Sequence, residues 1–103
     1  MALPAMTAEQ RAKALAKAAE ARTARRVLLA EVASGVVGVA EIFERGGQDL
    51  VGRTRVVQVL RAVPGYGPAR VAALMAICGV AEKQRVGALN EQQRERLVRA
   101  LIS

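Results

Sequence analysis

Val63-Pro64-Gly65-Tyr66-Gly67-Pro68-Ala69 is the stretch on which the fold turns. Before it, Val56, Val59, Leu60 and Val63 stand at i, i+3, i+4, i+7; after it, Val71, Leu74, Met75 and Cys78 repeat the spacing. That period predicts two amphipathic helices joined by a tight turn. Pro68 suits the first position of the second helix, and Gly79 suits its C-cap. Gly65 and Gly67 permit backbone angles closed to other residues and let another surface approach closely. The amides around Gly65, Tyr66 and Gly67, facing outward at a helix start, suit a phosphate oxygen. The segment reads as a helix-hairpin-helix pattern; its bland alternative is a simple turn in a helical bundle.

Outward from the hairpin, the pattern is helical throughout. Thr7 is an expected N-cap with Gln10 at the capping-box position. From Ala8 to about Val32 the chain is rich in Ala, Lys, Arg and Glu and lacks Gly and Pro, which predicts one long helix. Residues 1–6 are expected to be a frayed lead-in. The large apolar residues of the long helix come late, at Val27, Leu28, Leu29 and Val32, so only its end is expected to dock. Ser34-Gly35 closes it. A second helix is predicted from Val39 to Arg45 with Val39, Ile42 and Phe43 inward, then a loop over residues 48–52. A third begins near Thr54, and the hairpin's second helix is the fourth. Residues 80–89 read as a connector. Asn90 and Gln93 form a second capping box before a last helix, with Leu97, Val98, Leu101 and Ile102 facing the core and Arg94, Arg96 and Arg99 outside. No strand pattern appears. The expected fold is all-α: one long helix over residues 1–33, partly free, and a compact four-helix core over residues 34–103.

Composition narrows the chemistry. The chain has 103 residues, one domain's worth, with 16 Lys+Arg against 9 Asp+Glu, a formal charge of +7 and a pI near 11.1. The positive excess lies in residues 1–33 and 64–103, which points to a polyanionic partner. With one Tyr, one Phe and no Trp, the core must be aliphatic. There is no histidine, so neither a histidine base nor a histidine-ligated metal is available. No Walker-type loop or Gly-x-Ser-x-Gly occurs, and no catalytic residue, metal or cofactor is expected. The single Cys78, on an apolar helix face, reads as an inert thiol. It excludes an internal disulfide and fits a reducing cytoplasm. No signal peptide or membrane span is recognised.

The candidate binding residues follow from these two readings. Pro64, Gly65, Tyr66 and Gly67 supply the turn, and Arg70 adds charge in the next helix. Arg53 and Arg55 precede the hairpin and are expected near the same phosphate path. Arg85 and its neighbour Lys83 stand in the connector. Wound at about 100° per residue, the long helix places Arg11, Arg22, Arg25 and Arg26 in one stripe, opposite Lys13, Lys17 and Glu20. That stripe reads either as a solvated surface or as a basic arm for a polyanion. Tyr66 reads either as a stacking residue or as packing for the hairpin. Backbone amides read no bases, so binding without sequence preference is expected.

At the level of whole motifs the chain resembles actinobacterial integration host factor. Ala2-Leu3-Pro4, Thr7, Glu9-Gln10-Arg11, Ala14-Leu15, Lys17-Ala18-Ala19 and Ala21-Arg22 carry the resemblance at the start. Gly52-Arg53-x-Arg55-Val56, Leu60, Pro64-Gly65-x-Gly67 and Arg70 carry it later, and it covers nearly the whole chain in order. It implies a helix-two-turns-helix core in a nucleoid-associated protein of the cytoplasm. Such a protein binds double-stranded DNA with little sequence preference, bends or compacts it, and assists phage integration beside an integrase. A solution monomer is expected. The connector departs from the family pattern Arg-Arg-x-Arg-Gly-Leu-Gly: in Gln84-Arg85-Val86-Gly87-Ala88-Leu89-Asn90 only Arg85 of the three arginines remains, and Pro68 stands where Lys is common. The chain thus resembles a divergent paralogue. The second half, through Gly65-Tyr66-Gly67 and Arg85-Val86-Gly87-x-Leu89-x-Glu91-x-Gln93, also resembles the helix-two-turns-helix protein of the ribosomal small-subunit head. That family opens differently and continues into a basic tail. Two alternatives to a DNA partner therefore stand: structured RNA, or a protein docking on the apolar segment from Val36 to Phe43.

Overall fold

The computed structural model describes residues 5–102. The chain order is α1 (Ala8–Ser34), α2 (Val39–Glu44), α3 (Asp49–Arg53), α4 (Val56–Ala62), α5 (Pro68–Cys78), a 3-10 turn (Val86–Ala88) and α6 (Glu91–Ile102). The expected lead-in and Ala2-Leu3-Pro4 lie largely or wholly outside the described residues, as does the side chain of Ile102. None of the described helices is long and apolar enough to cross a membrane.

Local chemistry sets the helix ends. Thr7 accepts from the Gln10 amide and the Gln10 side chain accepts from the Thr7 amide, closing the capping box that starts α1. Gly35, at φ 81°, ends it in the left-handed conformation. Asn90 and Gln93 make the same reciprocal pair before α6, at 3.1 and 2.8 Å. Gly79, at φ 70°, closes α5. These boundaries agree with the sequence reading.

Three boundaries do not. The expected loop over residues 48–52 is α3, a single helical turn begun after Gln48. The next helix starts at Val56, not Thr54, and α2 ends at Glu44, one residue early. The described residues therefore hold six α-helices and a 3-10 turn rather than five helices. The described connector is also not free of extended pairing: Arg55 and Arg85 form an isolated antiparallel bridge.

Among the described residues one apolar core joins the end of α1 to the helices after it. Ile42, Phe43, Val56, Val59, Leu60, Val71, Val86 and Leu97 are nearly or wholly buried, joined by Leu28 and Val32 from the end of α1. Leu74, Val98 and Leu101 pack against it half-buried. Val27 is exposed, so the late apolar cluster of α1 docks by one face only. Helix α1 packs on α4 and α3; α4 packs on α5, α5 on α6, and α6 on α2. Residues 5–24 are all exposed. With about 1.5 Å rise per residue, the first half of α1 extends well beyond the core. The segment Val36 to Phe43 offers little free apolar surface, because Val37, Ile42 and Phe43 are buried and Val36 alone of its large side chains protrudes.

Candidate nucleic-acid interface

The site has two parts, one at each end of α4. At its N-terminal end, Arg53 closes α3 and Arg55 is the N-cap of α4. Between them Thr54 is wholly buried. The Val56 amide donates to the Gln84 carbonyl at 3.0 Å, and the Val86 amide donates to the Thr54 carbonyl at 2.9 Å. These two bonds flank the Arg55–Arg85 pair, which places both residues in the close, non-hydrogen-bonded position of an antiparallel ladder. Side chains there lie on one face, and both arginines are exposed. Two like charges directly opposite each other destabilise a bridge. Neither guanidinium has an acidic partner among the described residues. Arg53 adds a third, held by Asp49 at 3.1 Å in an exposed pair of little net worth.

Three glycines bring the connector this close. A methyl group at Gly52 would lie 2.5 Å from the Gly46 carbonyl oxygen, and one at Gly87 would lie 3.1 Å from the Gly52 oxygen. Gly46, Gly52 and Gly87 therefore stack backbone on backbone and seat the 3-10 turn on α3. The sequence suggests that Gly52 keeps the approach to Arg53 and Arg55 open; the structure uses it for internal packing instead. Gln84, where the family pattern has arginine, holds the connector in place. Its amide nitrogen donates to the Ala88 carbonyl at 3.1 Å and to Gln93 Oε1 at 2.8 Å, and Gln93 Nε2 donates to the Gly79 carbonyl.

At the other end of α4 lies the hairpin. Gly65 has φ 87° and needs to be glycine. Gly67 does not: its φ is −76°, an ordinary extended value, and a Cβ there would meet nothing within 4 Å. It is the N-cap of α5, a position that glycine suits, and its bareness leaves the turn open on the outside. The Tyr66 amide donates to the Val63 carbonyl at 3.2 Å, so it is not one of the outward amides. No side chain caps α5 and Pro68 has no N–H. The first-turn amides of Ala69 and Arg70 thus lack an intrahelical acceptor. Tyr66 is half-buried against the core, with the Arg70 guanidinium 4.3 Å above its ring centre. Tyr66 packs, and Arg70 is held over the turn. Pro64 is exposed at its rim.

The two parts are separated by the length of α4, about 10 Å for seven residues. A single phosphate cannot touch both. Lys83 is exposed two residues before Arg85. Arg11, Arg22 and Arg26 are exposed along α1, whereas Arg25 is half-buried and donates through Nε to Thr54 Oγ1 at 3.3 Å. The sequence carried no local signal for the Arg55–Arg85 pairing or the Arg25–Thr54 bond, since each joins residues about thirty positions apart. Cys78 is 2 % exposed, and burial pushes its thiol pKa up against a smaller opposing pull from Arg96.

Comparison with known proteins gives a consistent picture. The family model described as an S13-like H2TH domain matches residues 32–101. The chain is 36 % identical over 94 residues to a protein named integration host factor from Streptomyces coelicolor, spanning 90 % of this chain and 88 % of that one. It is 34 % identical over 99 residues to the proteins of that name from Mycobacterium tuberculosis and Mycolicibacterium smegmatis, spanning 95 % of this chain and 94 % of each. Among solved structures it is similar to sIHF bound to an 8-bp palindromic DNA, with a TM-score of 0.78 and 29 % identity over 82 % of this chain and 96 % of that one.

Proposed function

The chain belongs to the integration host factor family of actinobacteria, and from that premise we propose that it is a DNA-architectural protein. It binds double-stranded DNA through the sugar-phosphate backbone with little sequence preference. It acts without catalysis, as a monomer, at the nucleoid, where it bends or compacts DNA and supports site-specific recombination beside an integrase. Residues 34–103 form the binding core, and residues 1–33 form a basic arm.

The observation that carries this reading is the Arg55–Arg85 bridge. Two unpaired, exposed guanidinium groups on one face, in a chain of charge +7, are relieved by a shared polyanion. The hairpin supports it from the other end of α4, with uncapped α5 amides and the bare Gly67 as a second phosphate seat. Arg53 exchanges Asp49 for phosphate at small cost, and Arg70 and Lys83 add charge. Arg11, Arg22 and Arg26 extend the basic surface along α1. None of these contacts reads a base edge, so sequence preference is weak. The absence of arginine at Gln84 and Gly87 leaves fewer charges in the connector than the family pattern holds.

A competition assay at fixed salt tests the reading. Duplex DNA of arbitrary sequence is expected to displace labelled duplex far better than structured RNA of equal length. Preference for the RNA would move the assignment to the ribosomal relative of the fold. Failure of both would leave a protein-docking module.

A further inference from the structure

Arg25 belongs by sequence to the basic stripe of α1, but the structure gives it other work. Thr54, wholly buried, is a junction of three elements. Its hydroxyl donates to the Leu50 carbonyl of α3 at 2.8 Å and accepts from Arg25 Nε of α1 at 3.3 Å. Its carbonyl accepts from the Val86 amide of the connector. The residues on either side of Thr54 are Arg53 and Arg55, and the residue before Val86 is Arg85. The Arg25 side chain lines the cleft between α1 and α3 together with Lys17, Glu20, Asp49 and Arg53. It forms no ion pair with either carboxylate there, and its directional bond goes to the hydroxyl.

We propose that Arg25 is a positioning residue for DNA binding: through Thr54 it ties the orientation of α1 to the loop that sets the Arg55–Arg85 pair. The long helix is then a fixed outrigger registered to the binding face, not an independent arm. The DNA arm of this proposal rests on the reading that Arg55 and Arg85 contact DNA.

The test is a double-mutant cycle of Arg25→Gln and Thr54→Val, with Thr54→Ser as the variant that keeps the hydroxyl. Arg25→Gln and Thr54→Val are each expected to weaken duplex binding about two- to tenfold, the range of one ordinary hydrogen bond. The double variant is expected to lose no more than the weaker single variant, Thr54→Ser to bind like the parent, and the salt slope to stay unchanged throughout. Additive losses with a slope lower by about one for Arg25→Gln would make Arg25 a DNA contact in its own right and overturn the proposal. Unchanged binding in both single variants, with Arg55→Gln weakening it, would overturn it too. In DNA-free protein, Arg25→Gln is expected to shift the side-chain Nε resonances of Arg55 and Arg85. Static resonances there refute the coupling whether or not those arginines touch DNA. If they shift but Arg55→Gln and Arg85→Gln bind normally, the coupling stands and the assignment of the binding face fails instead.

Discussion

Replacing Gly52 by alanine should destabilise the fold through a single methyl group. The new Cβ would stand 2.5 Å from the Gly46 carbonyl oxygen and 3.8 Å from the Gly87 Cα. An ordinary C···O contact is about 3.3 Å or more, so roughly 0.8 Å must be found. The obstacle is backbone on both sides, not the tip of a flexible side chain. Overpacking of this kind costs about 1–3 kcal/mol. Alanine's helical advantage over glycine, at most about 1 kcal/mol in a helix interior, is smaller at the penultimate residue of a five-residue helix. A net loss of about 1–2 kcal/mol follows, and at about 4–8 °C per kcal/mol for a domain of this size Tm should fall by roughly 5–15 °C. Thermal unfolding followed by far-UV circular dichroism reads it directly. The methyl also pushes the connector away from α3, so Arg85 loses register with Arg55 and duplex affinity falls at temperatures where the variant is still folded. A Tm equal to or above that of the parent would refute the reasoning, because the three-glycine contact could then not be what seats the connector.

Gly67→Val should behave in the opposite way: unfolding free energy within about 1 kcal/mol of the parent, since beyond its chain neighbours nothing lies within 4 Å of a Cβ at that position, with duplex binding weakened equally for all sequences in a gel-shift series. Arg55→Gln and Arg85→Gln should each lower the slope of log affinity against log salt by about one. Each should also raise low-salt stability by a few tenths of a kcal/mol by relieving the like-charge pair, read by denaturant titration. Cys78 should resist thiol reagents in the native protein and react on unfolding. Because its native pKa is raised, that contribution to stability is present below the ordinary thiol value of 9.0 and is lost as pH climbs from there through the native value; unfolding curves at stepped alkaline pH check this.

Much of the fold was legible because its signals are local. The capping boxes at Thr7–Gln10 and Asn90–Gln93, the stops at Gly35 and Gly79, and the paired apolar stripes around the hairpin each lie within a few residues. Helix α3 was not legible: five residues make too short a window for a period, and Gly52 argues against a helix there. The geometry of the candidate site was half legible. The hairpin glycines and the exposed arginines were in view, but Gly65 and Gly67 read alike in sequence although only Gly65 takes a positive φ. Arg25 and Thr54 meet each other, and Thr54 meets Val86, across long stretches of chain, and Gly52 is wedged between nearby Gly46 and distant Gly87, so composition and spacing could not reveal these contacts. The same holds for the Arg55–Arg85 pair, whose closeness is a product of packing between α3, the connector and α4.

The salt dependence of duplex binding tests the central claim most directly. Contacts to about 4–7 phosphates from the two ends of α4 predict a log–log slope of roughly −4 to −6, the same for unrelated duplex sequences. A slope near zero, or steep binding confined to one sequence, would contradict the claim that this chain holds DNA by its backbone.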